Sequence, residues 1–212
     1  FPPPTDAAQA RLMADSRFGL GPNDGGYILF VGTIEPRKNL TTLLDAYSVL
    51  KWRGTIKPMP ALVVIGQKGW LSDQIYTRME ELGLQEQVYF LHGVDDRNLP
   101  LFYAGARLFA LPSIYEGFGI PALEALASGT PVVSSNGGSL PEVVGDAGLL
   151  LDPRNTDAWA DAIERVLLDP ELESRLRARG PQQASRFSWE RAAQETIRLY
   201  RKVARLTPSN QG

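Results

Sequence analysis

Six short apolar runs recur along the chain at Tyr27–Val31, Ala61–Ile65, Val88–Leu91, Arg107–Leu111, Pro131–Ser135 and Gly148–Leu151. They do not alternate polar with apolar residues, and an unbroken apolar run of this length is a strand buried on both faces. Between them the apolar spacing switches to the helical period. Leu40 to Leu50 carries apolar residues at 40, 43, 44, 47 and 50, with Asn39 as its expected N-cap. Residues 71–83 read as a helix stopped by Gly83, Leu99 to Ala104 as a short one, and Ile120 to Ser128 as one with Pro121 in its first turn. Ser139-Leu-Pro-Glu142 fits a capping box, and Asn155 to about Leu206 reads as helical. That last stretch has an N-cap at Asn155 or Thr156, a break at Pro170 and a final helix opening at Ser188. Strands that alternate with helices in this way predict an α/β fold. Its core is a Rossmann-like parallel sheet of about six strands, with right-handed crossovers and helices on both faces.

Composition removes several classes of function. The chain of 212 residues has no cysteine and one histidine, His92, so thiol catalysis, disulfide frameworks, cysteine zinc sites and histidine-rich metal sites are excluded. A net charge of -2 gives no basic footprint, and no nucleic-acid partner is expected. No apolar run reaches the about 20 residues of a membrane span. With no visible signal peptide, the default expectation is a cytoplasmic chain. The chain opens Phe1-Pro2-Pro3-Pro4 without an initiator Met, then reads as a short helix from Asp6 to Arg17 and a loop ending at Gly25-Gly26. Residues 1–26 are therefore expected to be a linker and N-terminal helix entering a domain at 27–206, and residues 207–212 a disordered tail.

In an open parallel sheet, ligands bind beyond the carboxyl ends of the strands. This singles out the loops 32–39, 66–70, 92–96, 112–120 and 136–139. In the first, Gly32-Thr-Ile-Glu-Pro-Arg-Lys-Asn39, a glycine ends the strand and Arg37 and Lys38 stand just before a helix. Arginine grips phosphate oxygens bidentately, lysine acts as a point charge, and the helix start adds a positive dipole. That combination suits a diphosphate; the plainer reading is a surface loop with two solvated cations.

The fourth loop leads from Ser113 through Glu116-Gly-Phe-Gly119 to Glu124. Gly117 and Gly119 let the backbone approach a ligand closely. Glu124 lies in a helix that is apolar nearly all round, where a carboxylate needs hydrogen-bond donors such as a pair of ribose hydroxyls. The plainer reading is a solvated helix residue. Gly137-Gly138-Ser139 reads either as amides aimed at a ligand or as a tight turn. Asp95-Asp96 reads as turn residues rather than a metal site, His92 as a strand-end residue, and Trp70 as surface packing. Gly117-Phe-Gly119-Ile-Pro-Ala122 matches a G-x-G-x-x-A dinucleotide fingerprint, but it does not follow the first strand, and no acidic residue stands near Asn136 where one is expected.

Taken together, Gly32 to Asn39 and Glu116-Gly-Phe-Gly-Ile-Pro-Ala-Leu-Glu124 resemble the retaining family-4 glycosyltransferases, the second span matching their Glu-x7-Glu motif. Gly129-Thr-Pro-Val-Val133, Gly137-Gly138-Ser-Leu-Pro-Glu142 and Gly148-Leu-Leu-Leu-Asp-Pro153 resemble the family in order and spacing. The resemblance covers about residues 27–200 and implies the C-terminal, nucleotide-sugar-binding half of a GT-B enzyme, the acceptor-binding half being absent from this chain. The final helix is similar to the one that crosses back toward that other half, and its Arg191, Arg198, Arg201, Lys202 and Arg205 read either as a solvated face or as contacts with that half.

The same resemblance implies roles. Arg37 and Lys38 bind the donor diphosphate and act in catalysis, with Glu116 facing the transferred hexose. The amides of Gly117, Phe118, Gly119 and Ile120 hold sugar hydroxyls and phosphate. Glu124 accepts from the ribose hydroxyls, Gly32 and Thr33 lie against the donor, and Gly93 and Val94 border the base. Thr33 departs from the pattern: many members carry arginine there, and here it stands at 37. That variant is similar to bacterial polysaccharide mannosyltransferases, and the donor reading leans to GDP-mannose.

The implied reaction transfers a hexose to a saccharide or lipid-linked acceptor. It needs no metal and no cofactor beyond the donor, and when full length the enzyme is peripheral at the inner membrane. Alone, this half is expected to be inactive or weak. A non-catalytic sugar-nucleotide-binding module and another GT-B enzyme such as a nucleotide-sugar epimerase stand as alternatives.

Overall fold

The computed structural model describes residues 25–206. The expected helix Asp6–Arg17, nearly all of the 1–26 linker and the 207–212 tail lie outside the described residues. Six parallel strands form one sheet: β1 (Tyr27–Val31), β2 (Ala61–Ile65), β3 (Val88–Leu91), β4 (Leu108–Leu111), β5 (Val132–Ser135) and β6 (Gly148–Leu151), in the order β3-β2-β1-β4-β5-β6. The four inner strands are buried along their whole length, which is why they read as continuous apolar runs. The edge strands β3 and β6 are mostly half-buried. Tyr27 to Val31 pairs in register with Ala61 to Ile65, and Ile28 and Leu29 pair with Leu108 and Phe109.

The helices are α1 (Leu40–Arg53), α2 (Asp73–Glu81), α3 (Leu99–Gly105), α4 (Ile120–Ala127), α5 (Leu140–Val144), α6 (Thr156–Leu168), α7 (Pro170–Ala184) and α8 (Trp189–Leu206). α1 packs on α2 and α6, whereas α4 packs on α3, α5 and α7. With right-handed crossovers, the reversal of strand order between β1 and β4 puts these two groups on opposite faces. The break at Pro170 is real: α6 ends at Leu168, and Asp169 caps α7 by accepting from the Leu172 amide at 3.0 Å. Asn155 rather than Thr156 caps α6, accepting from the Ala158 amide at 3.1 Å. Every described side chain on α8 is exposed.

Three local expectations need correction. Asn39 does not cap α1 with its side chain. Its backbone is left-handed (φ 55°), which turns the side chain away from the helix amides. The amide group instead donates to the Pro112 carbonyl at 3.0 Å and the Pro153 carbonyl at 2.7 Å. The helix expected at 71–83 is shorter, because Leu71 is also left-handed (φ 53°) and cannot join it. The capping box at Ser139 does not form: Ser139 is already helical in φ and ψ, and its hydroxyl donates to the Glu116 carbonyl at 3.1 Å.

Candidate donor site at the strand-order reversal

β1 and β4 are neighbours, but their connections leave in opposite directions across the sheet, so a crevice opens beyond their carboxyl ends. The two loops that flank it are those that carry Arg37, Lys38 and Glu116. A 3-10 turn at Pro36–Lys38, begun by a proline whose missing N–H costs nothing there, presents the two cations. The Arg37 carbonyl accepts from the Ile114 amide at 2.8 Å, which ties the first loop to the fourth.

The side chains then converge. Lys38 Nζ donates to Glu116 Oε1 at 2.6 Å, and Ser113 Oγ donates to the same oxygen at 2.6 Å. Arg37 Nη1 donates to Glu116 Oε2 at 3.1 Å and to the Tyr115 carbonyl at 2.8 Å, while Nη2 donates to Glu35 Oε1 at 2.8 Å. Lys38 and Glu116 are buried, at 7% and 6% exposure, whereas Arg37 opens to solvent. Burial alone would raise the Glu116 carboxyl. The hydrogen bonds from Lys38 and Ser113, the Lys38 charge and the Arg37 hydrogen bond outweigh it and hold the carboxyl below the usual glutamate range. The group is therefore a carboxylate enclosed by donors, and an added ligand reaches it only where one of those contacts opens.

Beyond Glu116 the chain runs through Gly117, Phe118 and Gly119 into α4. The backbone amides of Gly117, Phe118, Gly119 and Ile120 donate to no acceptor among the described residues. Four donors without an acceptor among the described residues, at the start of a helix, have the chemistry that suits an anion or a hydroxyl. Gly119 must be glycine: its φ is 95°, and a Cβ there would stand 2.7 Å from Leu140 Cδ2. Phe118 is exposed and meets Phe187 edge-on at 5.7 Å between centroids.

Glu124 lies further along α4 and is half-buried. Its Oε2 accepts from the Tyr103 hydroxyl at 2.9 Å. Burial raises its carboxyl above the usual range and the nearby Asp96 charge adds to this, against the opposing effect of the Tyr103 hydrogen bond. Asp96 belongs to the loop after β3, the loop that also carries Gly93 and Val94. Gly93 is exposed and left-handed (φ 70°), and Val94 is half-buried. Thr33 is exposed next to half-buried Gly32, and its methyl group packs against Gly69.

Other candidates resolve differently. The 136–139 loop is a buttress. The Ser139 amide and hydroxyl both donate to the Glu116 carbonyl at 3.1 Å, and a Cβ on Gly138 would collide with that same carbonyl. Asp95 is a turn residue, accepting from the Arg97 amide at 2.8 Å. The His92 ring donates from Nδ1 to the Gly66 carbonyl at 2.6 Å, a link between strand ends, and Trp70 is exposed. Sequence reasoning missed Ser113, Asn39 as a loop staple and Tyr103. Only Ser113 left a signal, its spacing from Glu116 within one loop.

No helix among the described residues is long and apolar enough to cross a membrane. Residues 14–183 match the family described as glycosyl transferases group 1. O-antigen chain mannosyltransferase B of Escherichia coli is 44% identical over 176 residues, which cover 83% of this chain and 46% of that protein. Sucrose-phosphate synthase from Thermosynechococcus elongatus shares the fold with a TM-score of 0.77 at 29% identity, over 97% of this chain and 52% of that one. The C-terminal domain of a glycosyl transferase group 1 family protein from Francisella tularensis has the same fold. Its TM-score is 0.72 at 24% identity, over 86% of this chain and 93% of that one. The chain spans about half the length of the curated relatives it matches.

Proposed function

The chain belongs to the group 1 glycosyl transferases and has the fold of a GT-B C-terminal domain, and on that premise we propose that it binds the nucleoside-diphosphate-sugar donor of a retaining hexosyl transfer. One observation carries the reading. Arg37 and Lys38 are held together at the strand-order reversal, next to four open amides at the start of α4. A diphosphate is the ligand whose charge and size fit that arrangement.

In the proposed reaction the bond between the anomeric carbon and the β-phosphate oxygen breaks. The acceptor hydroxyl oxygen bonds to the same carbon from the leaving-group face, and its proton passes to the departing phosphate oxygen. Negative charge grows on the diphosphate, where the two cations and the α4 amides stabilise it in place. The chemistry is positioning and electrostatics, and it needs neither a nucleophilic side chain nor a metal.

Glu116 pairs with both cations. The arriving phosphates share those cations and free the carboxylate to face the hexose. Glu124 accepts from the ribose hydroxyls, and Gly32, Thr33, Gly93 and Val94 border the donor. The likeness to a mannosyltransferase favours GDP-mannose. The acceptor, saccharide or lipid-linked, meets the donor on a second half that α8 reaches, so this chain alone transfers little. The cytoplasmic and membrane-peripheral placement belongs to the same proposal and rests on family resemblance.

Calorimetric titration with UDP, GDP, ADP and NAD tests the proposal. One nucleoside diphosphate is expected to bind selectively, with GDP favoured and NAD inert. Binding of NAD in preference, or of none of the four, would overturn it.

A further inference from the structure

Glu124 is held by a residue to which no role has been given. Tyr103 stands near the end of α3 and is buried, at 1% exposure. Its ring meets Phe109 of β4 edge-on, 5.6 Å between centroids, and its carbonyl accepts from Thr130 Oγ1 at 2.6 Å. Ring and backbone are thus both fixed, and the hydroxyl has one direction in which to point. It donates to Glu124 Oε2 at 2.9 Å. Burial, reinforced by the Glu124 charge, keeps this phenol protonated and so always a donor.

We propose that Tyr103 is the positioning residue for Glu124: by occupying Oε2 from a fixed ring it turns Oε1 toward the crevice, as the acceptor for a vicinal diol such as that of a ribose. The inference rests on the donor-binding reading above. The plainer reading is a buried hydroxyl that needed a partner, and the entropy of the glutamate argues for more. An unheld glutamate on a helix samples several rotamers, and ordering it at the moment of binding costs side-chain entropy. Tyr103 removes that cost beforehand, and it leaves one oxygen rather than two for the ligand.

Tyr103→Phe keeps the ring and removes only the hydroxyl. The unsubstituted chain and Tyr103→Phe are titrated with three probes: a nucleoside diphosphate, its 2′,3′-dideoxy analogue and inorganic pyrophosphate. The unsubstituted chain is expected to prefer the ribose form by about tenfold or more, the scale of a hydrogen bond to a charged group. Tyr103→Phe is expected to keep only about threefold of that preference, with pyrophosphate affinity unchanged. A purely structural role would lower the melting temperature and leave the ribose preference intact, and that result overturns the proposal.

If the unsubstituted chain binds both nucleotides equally, Glu124 is not a diol acceptor and the inference falls while the diphosphate site stands. If it binds no nucleotide, both fall. Should Tyr103→Phe not fold, the buried hydroxyl proton of Tyr103 is followed by NMR in the unsubstituted chain. Its persistence on Glu124 when nucleotide binds supports the proposal, and its loss contradicts it.

Discussion

The Lys38 ammonium lies 2.6 Å from Glu116 Oε1, in a pair drawn from loops 78 residues apart, and both partners are buried. A pair of this kind is costly to halve. Glu116→Ala leaves the Lys38 charge buried without its partner, and removing one member of a buried pair costs about 3 kcal/mol or more. Urea unfolding at pH 7 is expected to show that loss, and Glu116→Gln, which still accepts a hydrogen bond from Lys38, a smaller one.

The two glutamates of the site are expected to respond to pH in opposite directions. Glu116 is held below the usual range in the folded chain, so its contribution to stability is present above the ordinary glutamate value of about 4.3. It is lost as the pH falls through the lower folded value. Glu124 is raised, so its contribution is complete below the ordinary value and is lost as the pH rises through the folded one. At pH 7 the raised Glu124 carboxyl therefore opposes folding. Glu124→Gln is expected to raise the melting temperature at pH 7 and to leave it unchanged below about pH 4. A melting series across pH with both variants checks both signs.

Binding reads the cations separately from the nucleoside. Lys38→Ala is expected to weaken a nucleoside diphosphate by roughly tenfold to a hundredfold, the scale of a hydrogen bond to a charged group. The corresponding nucleoside, which lacks phosphates, is expected to bind the variant and the parent alike. Calorimetry with the two ligands gives both numbers.

The fold was legible because buried parallel strands write themselves as apolar runs closed by glycine or proline, and all six runs became strands in one sheet. Arg37, Lys38 and Glu116 were legible as members of one site because the loops after strand ends share an edge. Their mutual pairing was not, since nothing in the spacing of two loops fixes which atoms meet. Asn39 and Ser139 carry strong capping signals, and tertiary partners overrode both. Asn39 takes a left-handed backbone and reaches Pro112 and Pro153, and Ser139 turns to the Glu116 carbonyl. Tyr103 reads in sequence as an ordinary core aromatic, and only the packing of α3 on α4 shows where its hydroxyl goes.

The buttress beneath Glu116 has its own test. Gly138 has φ 64°, and a Cβ there meets the Glu116 carbonyl. Gly138→Ala must therefore strain its own backbone and push on the loop that carries Glu116. A destabilisation of about 2 to 3 kcal/mol is expected, or roughly 5 to 10 °C in melting temperature for a chain of this size. Weaker diphosphate binding is expected with it, measured at a temperature where the variant is still folded.

The most direct measurement is a crystal structure of this chain with the nucleoside diphosphate that binds best. The phosphates are expected within hydrogen-bond distance of Arg37, Lys38 and the amides of residues 117–120, with the ribose hydroxyls at Glu124. A nucleotide bound elsewhere, with Lys38 and Arg37 still closed on Glu116, would contradict the donor site.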